Sequence, residues 1–217
     1  ALLKENVSPA GEVNYPGFQG DPRFTQYLEY LVETDPEAFA TTEEKLAFWI
    51  NAYNALTIKG ILDGLSPSGF FSRITFFKST DYKVAGREIN LYDLERDIII
   101  PFHEPRIHFA INCASASCPI LIPEAYTADK LEQQMEANTI AFINNELKNT
   151  FDLEKKVASI SKIFDWFPED FERPAGSVQK YLANYVNDPE ISTLLAQDGF
   201  RVQYLKYDWS LNGTPPK

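Results

Sequence analysis

Histidine and cysteine are nearly missing from this chain, with two of each among 217 residues. Two cysteines suit the cytosol and the bacterial periplasm alike. Basic residues are also few, 20 Lys and Arg against 31 Asp and Glu, for a formal net charge of −11. Nucleic-acid binding draws its affinity from Lys and Arg facing phosphates, so DNA and RNA are excluded as partners. A membrane-spanning helix needs roughly 18 to 20 apolar residues, and the longest run here, around Ile98 to Phe102, falls far short. No intact signal peptide stands at Ala1. The chain begins with Ala rather than Met, which fits a processed, exported protein.

What is present is ordinary for a globular protein. Hydrophobic residues make up 44% and charged residues 24%, which argues against disorder. The length fits one large domain with a substantial core. Residues 1–20, with Pro9, Gly11, Pro16, Gly17 and Gly20, read as an irregular lead-in, and residues 21–217 as a single domain.

Asp21 caps a first helix, with Pro22 at its first position and Phe24, Tyr27, Leu28 and Leu31 at helical spacing. A longer helix opens at Thr41 or Thr42 and carries Leu46, Trp49, Ile50, Tyr53, Leu56 and Ile61 around more than one face. Such a helix belongs in the middle of a domain, and Asn51 and Asn54 on it then need hydrogen-bond partners. YKVAGREIN and FDLEKKVASI predict hairpins, and RIHFAIN predicts a strand. Thr127 is the expected cap of the helix that follows it. SVQKYLANYV and PEISTLLAQ predict helices, and FRVQYLKYDWSL a closing strand. The pattern is α+β: a central buried helix and further helices packed on a small antiparallel sheet.

All four rare residues lie in one stretch, as His103, His108, Cys113 and Cys118, five residues apart. A strand over 106–112 would put His108 and Cys113 on opposite faces, about 16 Å apart. A zinc site has the right residue types, but this spacing lacks the usual close ligand pairs. No metal or other cofactor is therefore expected. A Cys113–Cys118 disulfide would close a short loop and suits an oxidising compartment. A nucleophilic thiol, Cys113 or Cys118, needs a base and a group to orient it, for which His108 and Glu95 are the candidates. The Ala114–Ser117 backbone, with Ser115 and Ser117, would then receive the oxyanion. Buried, inert cysteines are the plain alternative.

Five ordered blocks, LAFWINAYNAL, INLYDLE, PRIHFAINCASASCP, SKIFDWFPEDF and YLKYDWSLN, resemble the "domain of unknown function 547" family over roughly Thr41 to Asn212. The resemblance implies an outline similar to papain-like and transglutaminase-like folds and an exported or envelope setting in bacteria. It carries the family's motif positions onto Trp49, Asn51, Tyr53 and Asn54, onto Glu95 and His108, and onto Cys113, Ser115, Ser117 and Cys118. Later blocks add Lys162, Phe164, Trp166, Asp170 and Phe171, then Tyr207, Asp208, Trp209 and Asn212. Arg96 departs from the family, which often has histidine there.

Two functions follow as expectations. One is a cysteine-dependent hydrolase or acyl transferase with a Glu95–His108–Cys113 site, Cys118 being the second thiol. The other is a binding or scaffold module with structural cysteines, presenting Trp166 and Trp209 to a small-molecule, peptide or protein partner. A thiol–disulfide oxidoreductase is a weaker third reading, because the cysteines are too widely spaced. Asp208 is expected as a cap, a catalytic acid, or an ion-pair partner of Lys162 or Arg106.

Overall fold

The computed structural model describes residues 1–216. Its first twenty residues are folded rather than irregular, with α1 (Leu2–Asn6), β1 (Val13–Asn14) and a 3-10 turn at Tyr15–Phe18. The cause is burial, since Val13, Tyr15 and Phe18 all join the core.

α2 (Pro22–Glu33) starts as predicted, the Asp21 carboxylate accepting from the Arg23 N–H. α3 (Thr42–Leu62) opens with a full capping box between Thr41 and Glu44. Most of its residues between Leu46 and Ile61 are buried, consistent with its apolar sweep. α4 (Phe70–Ile74) runs into a π-helical turn, Thr75–Ser79. The predicted hairpin follows as β2 (Tyr82–Val84) and β3 (Arg87–Ile89), turning through Ala85 and Gly86 at φ of 52° and 69°. α5 (Leu91–Asp93), capped by Asn90, continues into a second π-helical turn, Leu94–Ile99.

RIHFAIN is not a strand. It forms a 3-10 turn, Pro105–Phe109, with Glu104 capping the Arg106 N–H and Pro105 fixing the first φ. Side-chain amides stand where strand neighbours would: Asn138 donates to the Phe109 carbonyl at 3.2 Å and Asn54 to the Ala110 carbonyl at 3.0 Å. The alternation that would separate His108 from Cys113 therefore does not apply.

α6 (Leu131–Ile143) begins later than a Thr127 cap implies, because the Gln134 side chain accepts the Thr127 N–H. β4 (Thr150–Asp152) and β5 (Val157–Ile160) make the expected antiparallel hairpin. Four helices follow, α7 (Ile163–Trp166), α8 (Pro168–Ala175), α9 (Val178–Ala183) and α10 (Pro189–Ala196). β6 (Arg201–Tyr204) then returns parallel to β5, so this sheet is mixed, not antiparallel. A helical crossover of that length permits the parallel return. β6 also ends earlier than predicted, and the chain beyond it runs along the cysteine loop. β7 (Gly213–Thr214) pairs in parallel with β1, where a Cβ on Gly213 would collide with the Val13 carbonyl.

The α+β architecture thus encloses two buried clusters. One surrounds α3; the other gathers Phe142, Ile160, Phe164, Phe171, Leu182 and Leu195. Residues 107–111 lie across their seam, Ile107 and Ile111 joining the first and Phe109 the second.

Candidate functional site

At this seam lies a cleft of about 530 Å³, within the range of small-molecule sites. Glu95, His108, Cys113, Cys118, Trp166 and Trp209 all line it. Ser115, Ser117 and Asp208 hold the thiol loop without lining the cleft. Asn54 braces that loop from α3, whereas Asn51 is tied to the Tyr126 backbone by two bonds, 2.7 and 2.9 Å. Both asparagines border a separate cavity of about 320 Å³ beside α1 and α2.

Asn112 organises the thiol loop. Its buried amide donates to the Pro119 carbonyl at 2.7 Å and accepts from the Ala114 N–H at 2.9 Å and the Asn212 amide at 3.1 Å. Its own N–H donates to Asn54 Oδ1 at 2.7 Å. These bonds hold Ala114 at φ 60°, a left-handed conformation that costs about 1–2 kcal/mol for a residue with a Cβ. Further along, the Ala116 N–H donates to the Ser210 carbonyl and the Ser117 N–H to the Asp208 carbonyl. Ser117 Oγ accepts from the Asp208 N–H, and the Lys148 ammonium closes on the Ala116 carbonyl.

This stitching corrects two expectations. Three of that backbone's four amides, those of Ala114, Ala116 and Ser117, are committed to protein acceptors and cannot receive an oxyanion. Asp208 pairs with neither Lys162 nor Arg106; it accepts from the Ser210 N–H. Lys162 is bound to Asp165, and Arg106 to Glu104, Glu132 and Glu136.

The two cysteines are free thiols with opposite fates. Cys113 Sγ lies 2.9 Å from Ser115 Oγ and 3.2 Å from the Tyr207 hydroxyl. Burial pushes its pKa up, but hydrogen bonds from the Cys118 thiol, Ser115 and Tyr207 outweigh burial and bring it down to about 7. Cys118 is held well above the ordinary thiol range by burial and by Cys113 beside it. Cys118 Sγ accepts the Cys113 N–H at 2.9 Å. Cys113 is therefore the more acidic thiol and Cys118 its neutral neighbour.

His108 is 3% exposed, and its partner is Asp170 rather than Glu95, with Nε2 to Oδ2 at 2.8 Å. Burial lowers the imidazole pKa against the pull of Asp170. Burial in turn raises Asp170, but the hydrogen bond from His108 and the nearby charges of Arg173 and Arg96 hold it below its ordinary range. A neutral His108 that donates Nε2–H to Asp170 keeps Nδ1 as an acceptor for the cleft. Asp170 Oδ1 meets Arg173 at 3.5 Å, and Arg173 reaches His103 Nδ1 at 2.6 Å. His103 is thus the outer end of a chain leading to His108, away from the cleft. Glu95 is lifted by burial to about 7, the Arg96 charge opposing this in part.

One wall is aromatic: Trp166, Tyr207 and Trp209 pack with centroids 4.5–5.6 Å apart. Phe167 stacks on His108 at 4.1 Å. Among the described residues no group of three or more His, Cys, Asp or Glu side chains could hold a metal ion. Nor is any helix among them long and apolar enough to cross a membrane.

Sequence reasoning did not assign Asn112 as the loop's organiser, Tyr207 as a thiol donor or Asp170 as the partner of His108. The last two stand in family motifs, but no local spacing links them to the thiol loop. Fold and site together define an α+β protein with a thiol-bearing cleft. Residues 37–143 match the family model described as "Protein of unknown function, DUF547", which bears out the resemblance over that stretch. No curated protein and no solved structure matches the chain.

Proposed function

We propose that the cleft serves a thiol-dependent hydrolase or acyl transferase, with Cys113 as nucleophile and His108–Asp170 as base and orienting acid. The observation that carries this reading is the Cys113 sulfur, 2.9 Å from Ser115 Oγ and 3.2 Å from the Tyr207 hydroxyl, in a cleft also lined by His108, which Asp170 holds from behind. The sulfur would attack a carbonyl carbon, its proton passing to His108 Nδ1 as the S–C bond forms. The imidazolium, stabilised by Asp170, would return that proton to the leaving oxygen or nitrogen. A water or a second nucleophile, deprotonated by His108, would then release the acyl group. The Tyr207 hydroxyl, kept neutral by burial, is the donor nearest the developing oxyanion.

The test is intact mass after brief iodoacetamide treatment of native, never-reduced protein. One rapid adduct on Cys113, followed by a search for esters and amides cleaved by the parent but not by Cys113→Ser or Asp170→Asn, is the expected course. Labelling only after denaturation, or only after reductant is added, would defeat the nucleophile and leave a binding role for the aromatic wall.

A further inference from the structure

We infer that the cleft takes a small organic anion, a carboxylate or phosphate on an apolar and preferably flat body. This rests on the reading of the cleft as a substrate site and names the class of substrate. Three basic side chains line it, Arg73, Lys78 and Arg96, against the single carboxyl of Glu95. The chain as a whole carries −11, so the cleft reverses the sign of its surroundings and would concentrate anions that the rest of the surface repels.

None of the three cations is spent on a carboxylate. Among the described residues, the ion pairs within 4.0 Å involve other basic side chains. Each sits over an aromatic ring instead: Arg73 over Trp209 at 4.5 Å, Lys78 over Tyr92 at 3.9 Å, and Arg96 over Phe167 at 4.4 Å. A guanidinium stacked on a ring is fixed in place while its in-plane N–H donors stay free, the arrangement that receives a carboxylate or phosphate.

The apolar half of the ligand has a matching surface. Trp166, Tyr207 and Trp209 form a continuous wall, and the Tyr207 hydroxyl touches Cys113 Sγ. A flat body laid on that wall is held beside the thiol, with its charged end within the reach of Arg73 over Trp209. Phe70 and Ile74 extend the apolar surface at the mouth, and the volume suits a small molecule.

The experiment is calorimetric titration of the unmodified protein at low salt with 2-naphthoate, 2-naphthyl phosphate, neutral 2-naphthamide and 2-naphthylmethylammonium. At least one anion should bind about ten-fold more tightly than the amide, as charge-assisted hydrogen bonds imply, and the ammonium should bind weakest. That preference should largely vanish in Arg73→Gln/Arg96→Gln, shrink in Lys78→Gln, and weaken as salt is raised. Circular dichroism verifies that the variants are folded. The idea is overturned if the amide matches both anions, if the ammonium binds tightest, if none binds, or if the preference survives in both variants. Binding to phosphatidylglycerol vesicles with no preference among the soluble probes also overturns it, and assigns exposed Phe70 and Phe71 to a lipid surface. These probes carry no electrophile, so an anion preference without thiol labelling sinks the hydrolase alone. A reactive thiol without the preference sinks this inference alone.

Discussion

The two sides of the cleft are built by different means. On the thiol side, residues 108–118 are stitched to Asn54, Asn138, Asp170 and residues 207–212 by hydrogen bonds from nearly every polar group. On the other side, residues 70–99 run through two π-helical turns, hold Arg73, Lys78 and Arg96 on rings, and leave Phe70 and Phe71 at 65% and 81% exposure. A reacting sulfur must be placed to within a fraction of an ångström, which needs a frame with no slack. Recognition of an apolar body tolerates adjustment, and π-helical turns concentrate at functional sites. On the proposed function, chemistry belongs to the bonded side and recognition to the looser one.

The comparison breaks most visibly at Asn112. Asn112→Ala strands the buried Pro119 carbonyl and Ala114 N–H and the half-buried Asn212 amide. A loss of about 3–5 kcal/mol in urea unfolding is expected from that many orphaned groups, together with the fast labelling of Cys113. A loss below about 1 kcal/mol would mean that the loop does not depend on this amide and that the bonded side is not a frame.

Glu95 gives the next largest effect, and its sign depends on pH. Its carboxyl has a reference value of 4.5 and stands near 7 in the folded protein. Between those values the folded form keeps a proton that the unfolded chain has released, so stability falls as pH rises through the window and stays lower above it. Glu95→Gln removes that slope. The variant should gain about 1–3 kcal/mol on the parent in going from pH 4 to pH 8, read by chemical unfolding at each pH. Cys113 acts in the opposite sense and higher up, adding stability as pH rises from about 7 toward its reference value of 9.0. A parent curve flat from pH 4.5 to 7 would show that water reaches Glu95 and that this part of the cleft is wetter than its burial implies.

What could be read from the sequence follows the range of the interactions. The start of α3 at Thr41 and the hairpin turn at Ala85–Gly86 are made by neighbours, and both stand where predicted. Glu95, His108, Cys113 and Cys118 are close in the chain, and all four do line one cleft. The alternation in RIHFAIN resembled a strand, but a strand needs an edge to pair with, and here the amides of Asn54 and Asn138 take the carbonyls. Asp170 lies 62 positions from His108, and no periodicity encodes a contact at that distance. The β1–β7 pairing joins the two ends of the chain, which is why residues 1–20 read as a loose lead-in. The thiol was therefore legible, while its hydrogen-bond donors and the partner of its base were not.

A smaller effect sharpens the account of the thiol side. Tyr207→Phe removes one hydroxyl from the Cys113 sulfur and leaves the ring on the wall. The midpoint of the iodoacetamide rate against pH should rise by about one unit from its value near 7, because one of the donors that favours the thiolate is gone. An unmoved midpoint would leave Ser115 and Cys118 as the groups that set the thiol.

The smallest expected effect is the most telling about the other side. Phe71 is a large ring spending its surface on water, touching Phe70 edge-on at 5.4 Å. If α4 were held by burial, as α3 is, Phe71→Ser would cost several kcal/mol; at such exposure the change should stay within about 0.5 kcal/mol. Phe71 itself does not line the cleft, whereas Phe70, Arg73 and Ile74 on the same short helix do. The substitution should therefore leave stability, the labelling of Cys113 and the binding of naphthoate all unchanged. A thermal melt and a naphthoate titration read the first and the last of these separately. A large fall in melting temperature would mean that the exposed ring anchors the helix in solution, and the contrast between a rigid chemical side and an adaptable recognition side would then have to be given up.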